Sequence, residues 1–161
     1  MEIVLEGTVN LLAKSYNDMY VPMYSKKRNK KWTFTKTDVK DYKKLISSEV
    51  ATILYNLNLP MLKENPTDVY RLDLEFFIDL YFKNKKPRKK DASNFIKPVE
   101  DSISETITVD DSYNFYVTSR KLDFQKHLLN EPLIYFRVSK GSYDDIAKDS
   151  LYLKFLGGVN G

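Results

Sequence analysis

Residues 69–82 carry the pattern that most limits how this chain can fold. Apolar side chains occupy every second position, and charged side chains occupy most of the positions between them. In order, the apolar residues are Tyr70, Leu72, Leu74, Phe76, Ile78, Leu80 and Phe82. Because side chains alternate between the two faces of a strand, this period predicts a strand with one face on the core and one towards water. The predicted strand is long, so we expect its end to extend beyond its sheet.

Two other segments have the spacing of amphipathic helices. The apolar positions of the first, over 37–57, are Val39, Tyr42, Leu45, Ile46, Val50, Ile53, Leu54 and Leu57. Those of the second, over 94–107, are Ile96, Val99, Ile103 and Ile107. The remaining predicted elements are strands at 1–13, 113–124 and 133–138, a loop at 14–34 and a helix at 142–156. This order of strands and helices predicts a single α+β domain, for which the 161 residues suffice.

Positive charge is concentrated in two short segments. The chain has a net charge of +4, and five of the six residues of 26–31 and six of the eight residues of 83–90 are basic. Dense basic segments are typical of contacts with phosphates, although two solvated loops have the same composition. The residues predicted to bind DNA are Lys26, Lys27, Arg28, Lys30, Lys31, Lys85, Lys86, Arg88, Lys89, Lys90 and Asn94.

Several classes of protein are excluded by what the chain lacks. It contains no cysteine, which excludes disulfides, thiolate metal sites and a cysteine nucleophile. Residues 1–10 lack the basic start and apolar run of a signal peptide, and no segment approaches the roughly 18 apolar residues of a membrane span. We therefore expect a protein that acts in the cytoplasm and has no membrane partner.

The residues best suited to chemistry lie on and around the second predicted helix. Asn94, Lys97 and Asp101 are three and four positions apart, so they share one face of that helix, opposite to its apolar side. The acids that flank the helix are Asp91, Asp110 and Asp111. Crowded carboxylates repel each other, and a protein usually tolerates them where a divalent cation neutralises them.

Carboxylate oxygens favour Mg²⁺ or Mn²⁺ as that cation. Such a metal polarises a phosphate and generates hydroxide near neutral pH, while a nearby lysine stabilises the developing charge. The pattern therefore predicts metal-assisted phosphodiester hydrolysis. A purely structural interpretation stays open, in which Asp91 or Ser93 caps the helix, Lys97 and Asp101 form an exposed ion pair, and Asp110-Asp111 is a turn.

At these positions the chain resembles the RusA family of Holliday-junction resolvases. The family signature is Asp-x-Asp-Asn-x-x-Lys-x-x-x-Asp at a helix start, followed by an Asp-Asp turn before a strand. The residues that fall on this pattern are Asp91, Asn94, Lys97, Asp101, Asp110 and Asp111. Ser15-Tyr16-Asn17, with Tyr20, is similar to a further motif of the family. The resemblance covers residues 1–139, and we expect the remaining 140–161 to be an extension of the same domain.

The resemblance implies a mixed sheet with helices packed on one side, and a homodimer that binds four-way DNA junctions. It implies paired nicks with Mg²⁺ or Mn²⁺ in DNA recombination and repair, and an origin in a phage or prophage. On this basis the predicted metal ligands are Asp91, Asp101, Asp110 and Asp111. The predicted catalytic residues are Lys97, Asp91 and Asp111.

Ser93 departs from the family pattern, because the signature has a second aspartate at this position. A hydroxyl is a far poorer metal ligand than a carboxylate, so this change should weaken Mg²⁺ binding. Two hypotheses follow: a structure-selective endonuclease that cuts four-way junctions with its remaining acids, or a RusA-like DNA-binding protein with weak or no catalysis. A third hypothesis is an adaptor whose lysine segments bind an acidic protein.

Overall fold

The computed structural model describes residues 1–14, 20–25, 30–35, 37–60, 62, 65–151 and 154. The strands are β1 (Glu2–Val9), β2 (Tyr20–Ser25), β3 (Lys30–Thr35), β4 (Val69–Ile78), β5 (Asn114–Asp123) and β6 (Leu133–Gly141). The helices are α1 (Thr37–Asn56), α2 (Ser93–Ile107) and α3 (Tyr143–Ala147), and Asp111–Tyr113 form one turn of 3-10 helix. These elements confirm the predicted single-domain α+β fold.

β4 lies inside a four-stranded sheet with the order β1-β6-β4-β5. It pairs antiparallel with β6 and parallel with β5, so the sheet is mixed. The alternation predicted for β4 is present, because Leu72, Leu74 and Phe76 are buried in the core while the charged residues between them are half-buried. On that second face Asp73 accepts hydrogen bonds from Arg71. The charged face of the sheet is thus partly neutralised by its own side chains.

Helices α1 and α2 pack side by side on the apolar face of this sheet. Their buried residues join one core with those of the strands, and they are Val39, Tyr42, Ile46, Val50 and Leu54 from α1 and Phe95, Val99, Ile103 and Ile107 from α2. The helices also contact each other, since the Ser47 hydroxyl donates to the Ser102 carbonyl over 3.4 Å. The predicted arrangement of helices on one side of a mixed sheet is therefore confirmed for the two long helices.

The prediction of a loop over 14–34 is wrong where the chain is described. β2 and β3 form an antiparallel hairpin that is a separate two-stranded sheet, with Tyr20 paired to Thr35 and Ser25 paired to Lys30. The dense lysines of 26–31 indicated a loop, but β3 begins within that run. Strand pairing depends on backbone hydrogen bonds, which a charged side chain on a solvated face does not prevent.

The prediction of a strand over 69–82 that extends beyond its sheet is wrong at its end, because β4 stops at Ile78 and is paired along its whole length. Beyond it, the Asp123 carboxylate accepts the backbone N–H of Leu80 at 3.1 Å, and the carbonyl of Leu80 accepts the N–H of Arg88 at 2.8 Å. The first bond ties the chain to the end of β5, and the apolar alternation continues into an exposed hairpin.

At the C-terminal end, β6 continues through Gly141 and Ser142 caps α3. Helix α3 is shorter than the helix predicted over 142–156, although Leu151 and Lys154 are helical as well. The first residues beyond 139 therefore belong to the sheet itself. None of the helices in the described ranges is long and apolar enough to cross a membrane.

Substitutions at two adjacent residues of α1 test how much the packing of this helix contributes to the free energy of unfolding. Ile46 is fully buried, whereas Leu45 is 53% exposed. We expect Ile46→Ala to lower the free energy of unfolding by about 2–5 kcal/mol, because it removes buried methyl groups and leaves a cavity. Leu45→Ala should change it by less than about 1 kcal/mol. Urea unfolding measures both values, and an equal loss in the two variants would contradict the packing of α1.

Candidate functional site

Lys97 is the point at which the predicted site residues meet. It projects from the exposed side of α2, where its Nζ lies 2.9 Å from Oδ1 of Asp101, one turn further along. The same Nζ contacts Oδ2 of Asp111, which precedes β5. The structure therefore brings the helix and the turn after it together, as the spacing of the motif predicted.

Asp101 binds a second lysine that the sequence did not point to. Nζ of Lys43 on α1 lies 2.6 Å from Oδ2 of Asp101, so each oxygen of this carboxylate accepts from a different ammonium group. Lys43 and Ser47 are one turn apart on α1, and both bind α2. Polar residues flank the apolar stripe of almost every surface helix, and for this reason no sequence signal distinguished Lys43.

Hydrogen bonding shifts the pKa values of this cluster. The pKa of Lys97 is raised by its hydrogen bond to Asp111 and further by that to Asp101. Burial raises the pKa of Asp101, but the hydrogen bonds from Lys43 and Lys97 outweigh it and the net shift is downward. Lys97 is therefore a cation and Asp101 an anion throughout the physiological range.

Asp110 occupies the turn before β5. Its side chain caps the 3-10 helix by accepting the N–H of Ser112 at 2.9 Å. The hydrogen bond with the Ser112 side chain, and then the one from the Ser112 backbone, lower the pKa of Asp110. Asp110 therefore has the role of a turn residue, as the structural interpretation predicted. Its carboxylate is exposed at the same time, so capping does not remove it from solvent.

Asp91 lies at the opposite end of α2 from this turn. Its carboxylate accepts the N–H of Ser93, the first residue of α2, at 3.2 Å, and the helix has no side-chain hydrogen bond from its N-cap residue Ala92. Asp91 and Asp101 are ten residues apart along a helical path, which corresponds to about 15 Å at the rise of an α-helix. Metal–oxygen bonds to Mg²⁺ are only about 2.1 Å long, so Asp91 and Asp101 cannot bind one ion together.

An open acidic cavity of about 340 Å³ collects three of the four predicted ligands. Asp101, Asp110 and Asp111 line it, together with Glu105, whereas Asp91 does not. Glu105 stands one helical turn beyond Asp101, and this four-residue spacing was a signal that the sequence offered. The cavity therefore unites acids that are up to ten positions apart in sequence.

The donor set of this cavity suits a divalent cation only in part. Oxygen ligands are what Mg²⁺ prefers, and Asp110 and Asp111 supply them side by side. Both oxygens of Asp101, however, already accept from ammonium groups. Among the described residues, no three acidic, histidine or cysteine side chains form a group that could hold a metal. Lys97 lies between Asp101 and Asp111 and neutralises both of them.

The second basic segment is a tight hairpin. Tyr81 bridges to Pro87, the N–H of Phe82 donates to the Lys86 carbonyl at 2.9 Å, and that of Lys85 donates to the Phe82 carbonyl at 2.8 Å. The lysines predicted to bind DNA within it, Lys85, Lys86 and Lys89, are exposed.

Three other residues predicted to bind DNA are only partly exposed to solvent. Arg88 forms an ion pair with Asp79 at 2.8 Å and lies over the Phe82 ring, so it holds the hairpin in shape. Lys90 is half-buried and its carbonyl accepts from Lys121, and Asn94 lies in the first turn of α2.

The first basic segment falls mostly outside what the structure describes. Lys26, Lys27 and Arg28 lie outside the described residues, as does the motif Ser15-Tyr16-Asn17. Lys30 and Lys31 begin β3, of which only the backbone is described.

The fold and the site together define a small α+β protein with an acidic cavity neutralised by lysines and with a basic hairpin. No protein-family model matches the chain, and no curated protein matches it at a significant level. The resemblance to the RusA family accordingly stays a prediction from the motif.

Asp101 provides a test of the lysine cluster. We expect Asp101→Asn to lower the free energy of unfolding by about 1 kcal/mol near neutral pH, because two ion pairs lose their anion. Since folding lowers the pKa of Asp101, this contribution is present at neutral pH and is lost as the pH falls below the usual aspartate value of about 3.9. Urea unfolding of Asp101→Asn and of the unmodified protein, at neutral pH and near pH 3, measures the difference in free energy of unfolding at each pH.

The matched control is Asp144→Asn, which changes an exposed acid in α3. Its effect should be small at both pH values. A difference between Asp101→Asn and the unmodified protein that stays the same at low pH would contradict the role assigned to the ion pairs.

Proposed function

We propose that this protein is a structure-selective endonuclease that nicks four-way DNA junctions with Mg²⁺ or Mn²⁺. The observation that carries the proposal is the convergence of Lys97, Asp101 and Asp111, which the motif required and which lies beside the acidic cavity. The basic hairpin supports it, because exposed lysines are what a protein needs to bind DNA phosphates.

The acids have different roles in this proposal. Asp111 and Asp110 are adjacent in the cavity and are the residues best placed to hold a divalent cation. Asp91, the third acid of the motif, lies outside this cavity at the start of α2 and takes no part in that cation site. When bound, the metal would polarise the scissile phosphate and lower the pKa of water. Asp101 is assigned to holding Lys97, since its oxygens bind Lys97 and Lys43.

Lys97 is the proposed contact to the scissile phosphate. Its raised pKa keeps the ammonium group charged, and half of the side chain is exposed, so an incoming phosphate can reach it. Positive charge at a fixed position stabilises the negative charge that develops during hydrolysis. Asn94, in the same helix, is proposed to orient a ligand or water. The ion pair to Asp101 keeps Lys97 in place before substrate binds.

The proposal also includes the oligomeric state of the protein and its cellular setting. Paired nicks in two strands require two active sites, so a homodimer is part of it, and light scattering of the purified protein measures this directly. The proposed setting is DNA recombination and repair in the cytoplasm of a bacterium, or of the host of a phage that encodes the protein.

A nicking assay tests the endonuclease. Purified protein in Mg²⁺ should nick a synthetic four-way junction and leave linear duplex largely intact. We expect Asp111→Asn and Lys97→Gln each to lower the nicking rate by about 100-fold or more, because the first removes a ligand of the proposed cation and the second removes the positive charge at the reacting phosphate. Asp144→Asn, an exposed acid outside the cavity, should nick at the unmodified rate. Equal rates in all four proteins would exclude this site.

The second candidate function is a junction-binding protein with weak or no catalysis. Two observations favour it: Ser93 replaces an acid of the motif, and the described acids form no metal-binding group of three. A protein that binds junctions in gel shifts without nicking them in Mg²⁺ or Mn²⁺ would fit this candidate.

Ser93→Asp separates the two candidates. The substitution restores a carboxylate at an exposed position, two residues from Asp91. If Ser93 limits metal binding, the variant should nick faster than the unmodified protein and at lower Mg²⁺ concentration. Ser93→Asn is the matched control, because it has the same size without the charge. An unchanged rate and Mg²⁺ dependence in Ser93→Asp would show that Ser93 is not the limiting residue.

A further inference from the structure

A second cleft lies at the end of the β4–β5 pair, next to the basic hairpin. It has a volume of about 820 Å³, and the residues that matter here are Tyr81, Phe82, Lys83, Lys85, Arg88 and Lys126. This volume lies in the range of clefts that bind small ligands. It shares none of its lining residues with the acidic cavity, so it forms a separate site.

The two aromatic rings of this cleft remain open to solvent. Phe82 is 49% exposed and Tyr81 is 37% exposed. Each ring already has a cation against it, because the Arg88 guanidinium lies 4.5 Å from the Phe82 ring centroid and Nζ of Lys126 lies 4.3 Å from that of Tyr81. These contacts hold the rings in position while much of their surface stays available for a ligand.

Both acids of the cleft are used to build it. Asp79 forms an ion pair with Arg88 at 2.8 Å. Asp123 is buried and accepts the backbone N–H groups of Leu80 and Lys126, each at 3.1 Å. The acids therefore maintain the fold of the hairpin, and the exposed Lys83 and Lys85 make the outer part of the cleft positive.

The backbone of the hairpin presents Lys85 in a strained conformation. Lys85 has a φ of 63°, in the left-handed region that glycine adopts most readily. The hydrogen bonds on both sides of the turn impose this conformation. A glycine at this position would suit the backbone better but would supply no charge, which makes the position useful for a test.

We propose that this cleft binds unpaired nucleotides, with a base stacked on Phe82 or Tyr81 and the adjoining phosphates held by Lys83 and Lys85. Flat exposed rings beside lysines match the two surfaces of a nucleotide, its base and its phosphate. Bases within a duplex are covered on both faces, so the rings select a strand that is unpaired. The inference rests on the proposed function only in taking the partner to be nucleic acid, and it requires neither metal nor cleavage.

The test is the affinity of the full chain for a labelled short oligodeoxythymidine, measured by fluorescence anisotropy without divalent metal. Phe82→Leu keeps an apolar side chain but removes the ring, and we expect it to weaken binding by about 5- to 150-fold. The dependence of affinity on salt should stay the same, because no charge is lost. Tyr55→Leu is the matched control, since Tyr55 is an aromatic residue on α1 that is 85% exposed, and it should bind as the unmodified protein does.

Lys85→Gly tests the phosphate contact separately. The slope of log affinity against log salt should fall by about 0.7, the value for one phosphate contact on a single strand. Glycine suits the backbone at this position, so the thermal melting temperature should not fall, and weaker binding cannot then be attributed to unfolding.

Binding of other oligonucleotides shows whether the cleft recognises the base, the phosphate or both. An abasic oligonucleotide should bind more weakly than oligodeoxythymidine, and a duplex of the same length should not show the Phe82→Leu effect. An oligouridine distinguishes RNA from DNA as the source of the unpaired nucleotides, and a Phe82→Leu effect on either supports the proposal. Equal binding of the abasic strand, or equal competition by polyglutamate, would overturn it in favour of plain charge attraction.

The inference and the endonuclease proposal can fail independently. If junctions are nicked but Phe82→Leu binds oligodeoxythymidine as well as the unmodified protein does, the inference is wrong and the endonuclease stands. If Phe82→Leu weakens binding but no junction is nicked in either metal, the endonuclease is wrong and the nucleotide site stands.

Discussion

The parallel pairing of β4 with β5 is the constraint on which the rest of the structure depends. Parallel neighbours cannot be joined by a tight turn, so the chain has to cross one face of the sheet between them, and α2 makes that crossing. The apolar side of α2 then covers the core, and its polar side faces outward. The chain also returns past α2 before β5 begins, which is how Asp111 reaches Lys97 across 14 positions.

Alternating charge organises the candidate site that this crossing creates. Lys43, Asp101, Lys97 and Asp111 follow one another in contact, from α1 to the turn before β5. Each ammonium group relieves the repulsion that the acids would otherwise exert on each other. A cation that binds Asp111 therefore competes with Lys97 for the same carboxylate. Under the proposed function, a phosphate that attracts Lys97 would favour the cation, so that substrate and metal support each other's binding.

The elements with a strong hydrophobic period were predictable from the sequence. Periodicity identified α1, α2 and β4 because their burial repeats every three to four residues or every second residue along the chain. The β2–β3 hairpin was missed, since its pairing is made by the backbone and leaves no comparable repeat. The candidate site divides in the same way: the shared face of Lys97 and Asp101 followed from helical geometry, whereas the contact of Lys43 with Asp101 links positions that are 58 apart.

By itself, the sequence determined which residue types are present and which face of a local element each one occupies, because those depend only on the covalent spacing and on the period of helix or strand. It also determined that positive charge is concentrated in two short segments. The tertiary structure alone decided which charges meet. It placed Asp101 between two lysines, left Asp91 at the far end of α2, and used Arg88 to support Phe82. Such contacts depend on the path that the chain takes between distant segments, and no local pattern encodes that path.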